Sequence, residues 1–345
     1  MFSRHAILLA ILFLTACSES PQETGTAWNL AFAPQGKYLL ANGKFDTGTV
    51  TRVYEMTLER TLVQIASLPT RSGGAAWSHD GSQIIFVNGE QSRIEIFDLQ
   101  QRTVTAGCHC NYPSTGTLSP FSENQIIVAP QLISDFQPAA EPPVLAQTLC
   151  PSGEPGTREF GGCDTGTVFV VSTSPVAGGP VAVSYAGGCS VEIWDYQDDN
   201  LQLRYQLPDL KECWVKLRPD GQRLATLGPM GLTIWDLKQK APVQSGHFPD
   251  KRTSLTGFTD FSAYLNRLAF DQSGNRLALC FEDTVQVIDL STQQVIFNRQ
   301  FQFRDQVLCC ALSPDGNTVA WSGNRDMGIH LQAIKRAAGE STTNE

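Results

Sequence analysis

The chain has 345 residues and a formal net charge of −9, with no cluster of Lys or Arg along it. That balance excludes a surface built to track nucleic-acid phosphates. Its 29 glycines and 19 prolines, set among abundant Val, Ile, Leu, Phe and Thr, favour many short strands over long helices and point to an all-β fold.

The N-terminus stands apart. Arg4 precedes the apolar run Ala6–Ala16, which matches the charged and apolar parts of an export signal and is too short to span a bilayer. The run ends in "LTAC", Leu14–Cys17, which resembles the bacterial lipobox. The resemblance implies cleavage before Cys17 and acylation of its sulfur and amine. A buried methylene contributes ~0.8 kcal/mol, so one acyl chain anchors marginally while two or three hold firmly. By the same resemblance, Ser18 implies sorting to the outer membrane, facing the periplasm. Residues 1–16 are expected as a signal peptide, 17–26 as a lipidated tether, 27–336 as the folded domain and 337–345 as a flexible tail.

Beyond the tether one turn keeps returning: "APQG" at Ala33–Gly36, "SHDG" at Ser78–Gly81, "RPDG" at Arg218–Gly221, "DQSG" at Asp271–Gly274 and "SPDG" at Ser313–Gly316. Asp and Gly suit it through local side-chain bonding and tolerance of positive φ. The second unit, "GAAWSHDGSQIIFVNGEQSRIEIFDLQQRTVTAG", reads as four strands. The third begins "TGTLSPFSENQIIVAP", and in the fourth the turn is rewritten around Pro175 and Gly178–Gly179. The fifth and sixth again read as four strands each, and the last supplies three. Turns are expected near residues 33, 78, 119, 174, 218, 271 and 313, mostly at the ~40–45-residue spacing of WD-type repeats.

Trp194-Asp195 and Trp235-Asp236 close third strands, with Phe97-Asp98 and Ile288-Asp289 in the same place. On these residues the chain resembles the WD-repeat β-propeller family over nearly all of its mature length. The resemblance implies a seven-bladed β-propeller of four-stranded antiparallel sheets, with each aromatic packed between neighbouring sheets. The last blade is either incomplete or finished by an N-terminal strand from around Glu19–Ala27. The pattern specifies architecture and is nearly silent on activity.

One of the ten cysteines is Cys17, leaving an odd number in a compartment that permits disulfides. Cys150 and Cys163 are the best local pair, closing a loop around "PSGEPGTREFGG" whose restriction contributes ~3 kcal/mol, less any strain. Cys189 and Cys213 are a candidate pair between adjacent blades. Cys280 meets Cys309 or Cys310, or these stay as buried strand thiols. Cys108-His109-Cys110 suggests metal, but structural zinc normally takes four ligands with wider cysteine spacing, so disulfide use is favoured and no metal site is expected. In the family arrangement the cysteine-bearing loops share one face.

Two long insertions interrupt the repeat, at about 130–165 and 244–264. Connections of that length are usually functional or disordered. The second carries Phe248, Phe258, Phe261 and Tyr264, aromatics of the type enriched at binding hot spots, which either meet a partner or pack over the propeller's own rim. Phosphate-loop, HExxH, GxSxG and EF-hand patterns are missing from the sequence. The two "DTG" triplets, at Asp46–Gly48 and Asp164–Gly166, read as β-turns. No catalytic residue and no cofactor is assigned. The expectation is a non-enzymatic scaffold, held to the membrane by its N-terminal lipid and binding another envelope protein or peptide. The alternative is an envelope enzyme with a site in the propeller channel, a lactonase-like hydrolase or a quinoprotein-like dehydrogenase.

Overall fold

The computed structural model describes residues 24–88, 93–109, 118–122, 125–128, 131–133, 168–174, 179–185, 191–197, 200–207, 214–228, 231–246, 267–281, 283–301, 306–324 and 328–334. Every sheet is a simple antiparallel meander. One comprises β1 (Thr26–Phe32), β2 (Tyr38–Phe45), β3 (Gly48–Met56) and β4 (Leu62–Leu68). The next has β5 (Thr70–Trp77), β6 (Gln83–Asn88), β7 (Arg93–Asp98) and β8 (Thr103–His109). A short ladder of β9 (Leu118–Ser122), β10 (Gln125–Val128) and β11 (Gln131–Ile133) follows. Then come β12 (Val168–Thr173), β13 (Val181–Tyr185), β14 (Val191–Gln197) and β15 (Asn200–Leu207). The following sheet holds β16 (Trp214–Leu217), β17 (Arg223–Gly228), β18 (Gly231–Asp236) and β19 (Ala241–Gly246). Last are β20 (Leu268–Phe270), β21 (Arg276–Phe281), β22 (Thr284–Asp289) and β23 (Gln294–Gln300), and the three strands β24 (Val307–Leu312), β25 (Thr318–Gly323) and β26 (Ile329–Ala333).

The first strands pack side by side around an axis: β1 lies against β5 and β24, β16 against β12 and β20, and β20 against β24, with β9 between β5 and β12. This is a β-propeller. The expectation of seven four-stranded blades is corrected. Six sheets stack as blades through described intersheet cores, and only five of these have four strands. Where a four-stranded third unit was expected stands the small ladder β9–β11. Its first strand runs through Ser119–Ser122, the expected turn, and Pro120 sits opposite Ile126 within it. A proline inside a ladder removes a donor and weakens the pairing.

Burial is lowest in the outermost strands. "VLCCAL" in β24 is almost wholly enclosed, "TVQVID" in β22 alternates, and "QVIFNRQ" in β23 is largely exposed. Apolar runs that are covered on both faces suit inner strands, and alternation suits strands covered less completely. Each four-stranded blade has a register shift between its third and fourth strands at the aromatic position: Val53/Tyr54, Ile96/Phe97, Ile193/Trp194, Ile234/Trp235 and Val287/Ile288. A bulge on an outermost strand twists that edge away from edge-to-edge pairing.

The ring closes by packing rather than by a shared strand. β1 pairs with β2 in its own sheet and presents Ala27 and Leu30 to Cys309, Ala311, Ile329 and Leu331 of the last blade. Two hydrogen bonds pin this seam, Ala27 N donating to Ser322 Oγ at 3.0 Å and Cys309 Sγ to Ala27 O at 3.3 Å. Within the first blade, β1 lies close over Gly43, opposite Ala27 across a bulge, where an added Cβ would come within 2.1 Å of the Thr26 carbonyl oxygen.

Candidate functional site

A meander puts the connection between first and second strands, and that between third and fourth, at one end of the propeller. The second-to-third connections and the blade-to-blade links open at the other. The two ends differ most in the length of their connections.

At the turn end, each recurring turn is held internally and then tied to its neighbour. Asp80 accepts hydrogen bonds from Ser78 and Ser82, and Asp315 accepts from Ser313 and Asn317. Between blades, Gln35 Nε2 donates to Asp80 O and Ser174 Oγ to Pro219 O at 3.1 Å. Arg218 reaches Ser273 O and Asn275 Oδ1, both at 3.4 Å. Arg276 Nη1 donates to Gly316 O at 3.0 Å and Asn317 Oδ1 at 3.2 Å. Arg60 Nε donates to Thr318 Oγ1 at 3.2 Å, bridging the first and last blades.

A polar cleft of about 290 Å³ opens here, lined by Asp271, Ser273, Arg276, Asp289 and Asp315 among others. Its carboxylates are already occupied. Asp271 accepts from Ser273 Oγ at 2.6 Å and Arg276 N at 2.9 Å, and Asp289 accepts from Ser291 and Thr292. Burial alone would raise the carboxyls of Asp80, Asp289 and Asp315. Their serine and backbone hydrogen bonds outweigh it and hold all three below the usual carboxylate range. These acids are turn locks. Among the described residues no three His, Cys, Asp or Glu side chains are grouped to hold a metal ion.

Asp98, Asp236 and Asp289 end their third strands, whereas β14 continues two residues past Trp194-Asp195 to Gln197. Asp236 Oδ1 accepts from Lys238 N at 2.9 Å and Gln239 N at 2.8 Å, and Asp98 accepts from Gln101 N at 2.7 Å. Asp195 instead pairs with Arg204 at 3.4 Å. Trp235 packs against the core between the β12–β15 and β16–β19 blades and donates to Thr226 Oγ1 at 3.1 Å. Trp194 is buried and donates to Glu192 Oε2 at 3.0 Å. The resulting turn has a recurrent feature that the sequence did not reveal: Arg102, Lys240 and Gln293, each four residues past the aspartate, take φ near +57° (56°, 54° and 59°).

At the other end, three segments leave from equivalent strand ends: 186–190 between β13 and β14, 208–213 between β15 and β16, and 247–266 between β19 and β20. Cys189 and Cys213 belong to the first two. Phe248, Phe258, Phe261 and Tyr264 belong to the third, whose start is corrected: Gln244–Gly246 are the end of β19. Cys150 and Cys163 fall between the end of β11 and the start of β12. These residues and Cys17 lie outside the described residues. Cys108 falls within β8, in the blade before the one it was expected to precede. Cys280, Cys309 and Cys310 are buried in β21 and β24.

The chain matches no protein-family model and no curated protein.

Proposed function

We propose that this protein is a non-enzymatic β-propeller scaffold, tethered to the periplasmic side of the outer membrane by acyl chains on Cys17, whose loop end binds another envelope protein or peptide. One observation carries the reading: the contrast between the two ends. Turn-end polar groups are spent on one another and on the neighbouring blade, so little there is left for a partner. The opposite end bears the 247–266 connection, whose sequence carries four aromatic residues. Binding residues concentrate on loops borne by a rigid scaffold, and a propeller supplies that scaffold. The signal-like N-terminus and the "LTAC" tetrad support the membrane tether.

The test is crosslinking in intact cells followed by mass spectrometry, with residues 247–264 replaced by a short Gly/Ser linker. The expected result is a folded protein that loses its main crosslinked partner. An unchanged set of crosslinks would overturn the assignment of the binding end. Fractionation of a Cys17→Ser variant tests the tether separately: it should leave the membrane fraction, and retention there would contradict the lipid anchor.

A further inference from the structure

We propose that Cys280 and Cys310 form a redox pair, oxidised to a disulfide between adjacent blades while the ring is still open and sealed in whichever state they hold when it closes. Sequence alone leaves Cys280 two partners, Cys309 and Cys310. Strand geometry decides between them. Adjacent residues on a strand point to opposite faces, and the two cysteines do so. Cys309 turns toward β1, in the core of the closure seam, and donates to the Ala27 carbonyl. Cys310 turns the other way, into the core between the β20–β23 and β24–β26 blades, which also contains Cys280.

The second observation is a shared carbonyl. Arg267 O accepts the Cys280 backbone N–H at 3.0 Å and lies 3.6 Å from Cys310 Sγ. β21 and β24, which carry the two thiols, lie directly against one another. The pair therefore spans the boundary between two blades that share no backbone ladder.

Oxidation proceeds by thiol–disulfide exchange with a low-molecular-weight or protein disulfide. One cysteine thiolate attacks the donor's disulfide, forming a mixed disulfide and releasing one thiol. The second cysteine thiolate then displaces the other half. Two electrons pass from the cysteine pair to the donor, and the two cysteine protons end on the departing thiols. The step must precede closure. Both side chains are fully buried in the native ring, and burial pushes the Cys310 thiol well up, against the weaker pull of the Arg267 charge. A buried, protonated thiol is inert to exchange. The pair thus records the redox conditions under which the chain folded.

The proposal rests on the export reading only for where the oxidant is met, and the experiment separates the two. Purified, reduced, unfolded protein is refolded in a glutathione redox buffer, alkylated under denaturing conditions and peptide-mapped. The expected product links Cys280 to Cys310 and leaves Cys309 alkylated. The same protein, folded first under reducing conditions and then moved to that buffer, should keep Cys280 and Cys310 free over the time in which the unfolded chain oxidises fully. A Cys309→Ser variant should retain the link. A map showing Cys280–Cys309, or no link at Cys280 after oxidative refolding, overturns the pairing. Equally fast oxidation of native and unfolded protein overturns the trapping. If refolding forms the link but protein taken from cells carries free thiols, the pair stands and the export reading fails.

Discussion

The two ends of the propeller are built from the same strands and differ in how their connections are held. At the turn end, Asp80, Asp271 and Asp315 lock their own turns, while Arg218 and Arg276 reach across to the next blade. At the loop end the connections lengthen to the 247–266 segment. A ring of small sheets needs its blades fixed relative to one another, and the short turns contribute to that at one end as the seam bonds of Ala27 and Gly25 do at the other.

The contrast can be broken most severely at a turn. Gly316 has a φ of +68°, and a Cβ there would lie 2.8 Å from Arg276 Cδ and 3.3 Å from Asp271 Oδ2. A Gly316→Val variant forces a branched side chain into the left-handed region and into the clamp. It should lose about 1–3 kcal/mol in urea denaturation. Arg276→Ala, which removes the donors to Gly316 O and Asn317, should lose about 1 kcal/mol in the same assay.

Acid should act at the same end. Asp80, Asp289 and Asp315 sit below their ordinary values in the folded state. Their contribution is complete above an unfolded carboxyl pKa of about 4 and disappears as pH falls through the folded values. Hydrogen exchange of the turn amides, followed downward from about pH 4, should show these turns loosening before the loop-end strand termini. Simultaneous loosening would remove the distinction. The smallest effect belongs to the loop end. Replacing residues 247–264 should shift stability by no more than about 0.5 kcal/mol, whatever it does to binding.

Much of this architecture is visible in the residues themselves. The recurring Asp/Gly turns place most of the hairpins, and the aromatic–Asp pairs mark third-strand ends, because both depend on local chemistry. The exception is Ser119–Ser122, which reads as another turn but is strand, since a polar stretch with a proline satisfies either description. What escapes the sequence depends on the closed ring. Nothing near Arg276 announces that it will meet Gly316, or that Arg218 will meet Ser273. Ring closure through Ala27 and Cys309 is likewise decided by distant packing. The cysteines were half legible: their presence in strands could be read, but which of Cys309 and Cys310 faces Cys280 depends on strand phase.

The non-glycine residues in the left-handed region leave something unused at the rim. Holding such a residue there costs roughly 1 kcal/mol, which glycine avoids. Arg102→Gly, Lys240→Gly and Gln293→Gly should therefore each raise the melting point, and in combination add up, because the positions lie in separate blades. Arg60 takes the same backbone conformation (φ 59°) but reaches Thr318 across the closure. There the swap should bring little gain, so one of four similar corners is already employed in keeping the circle shut.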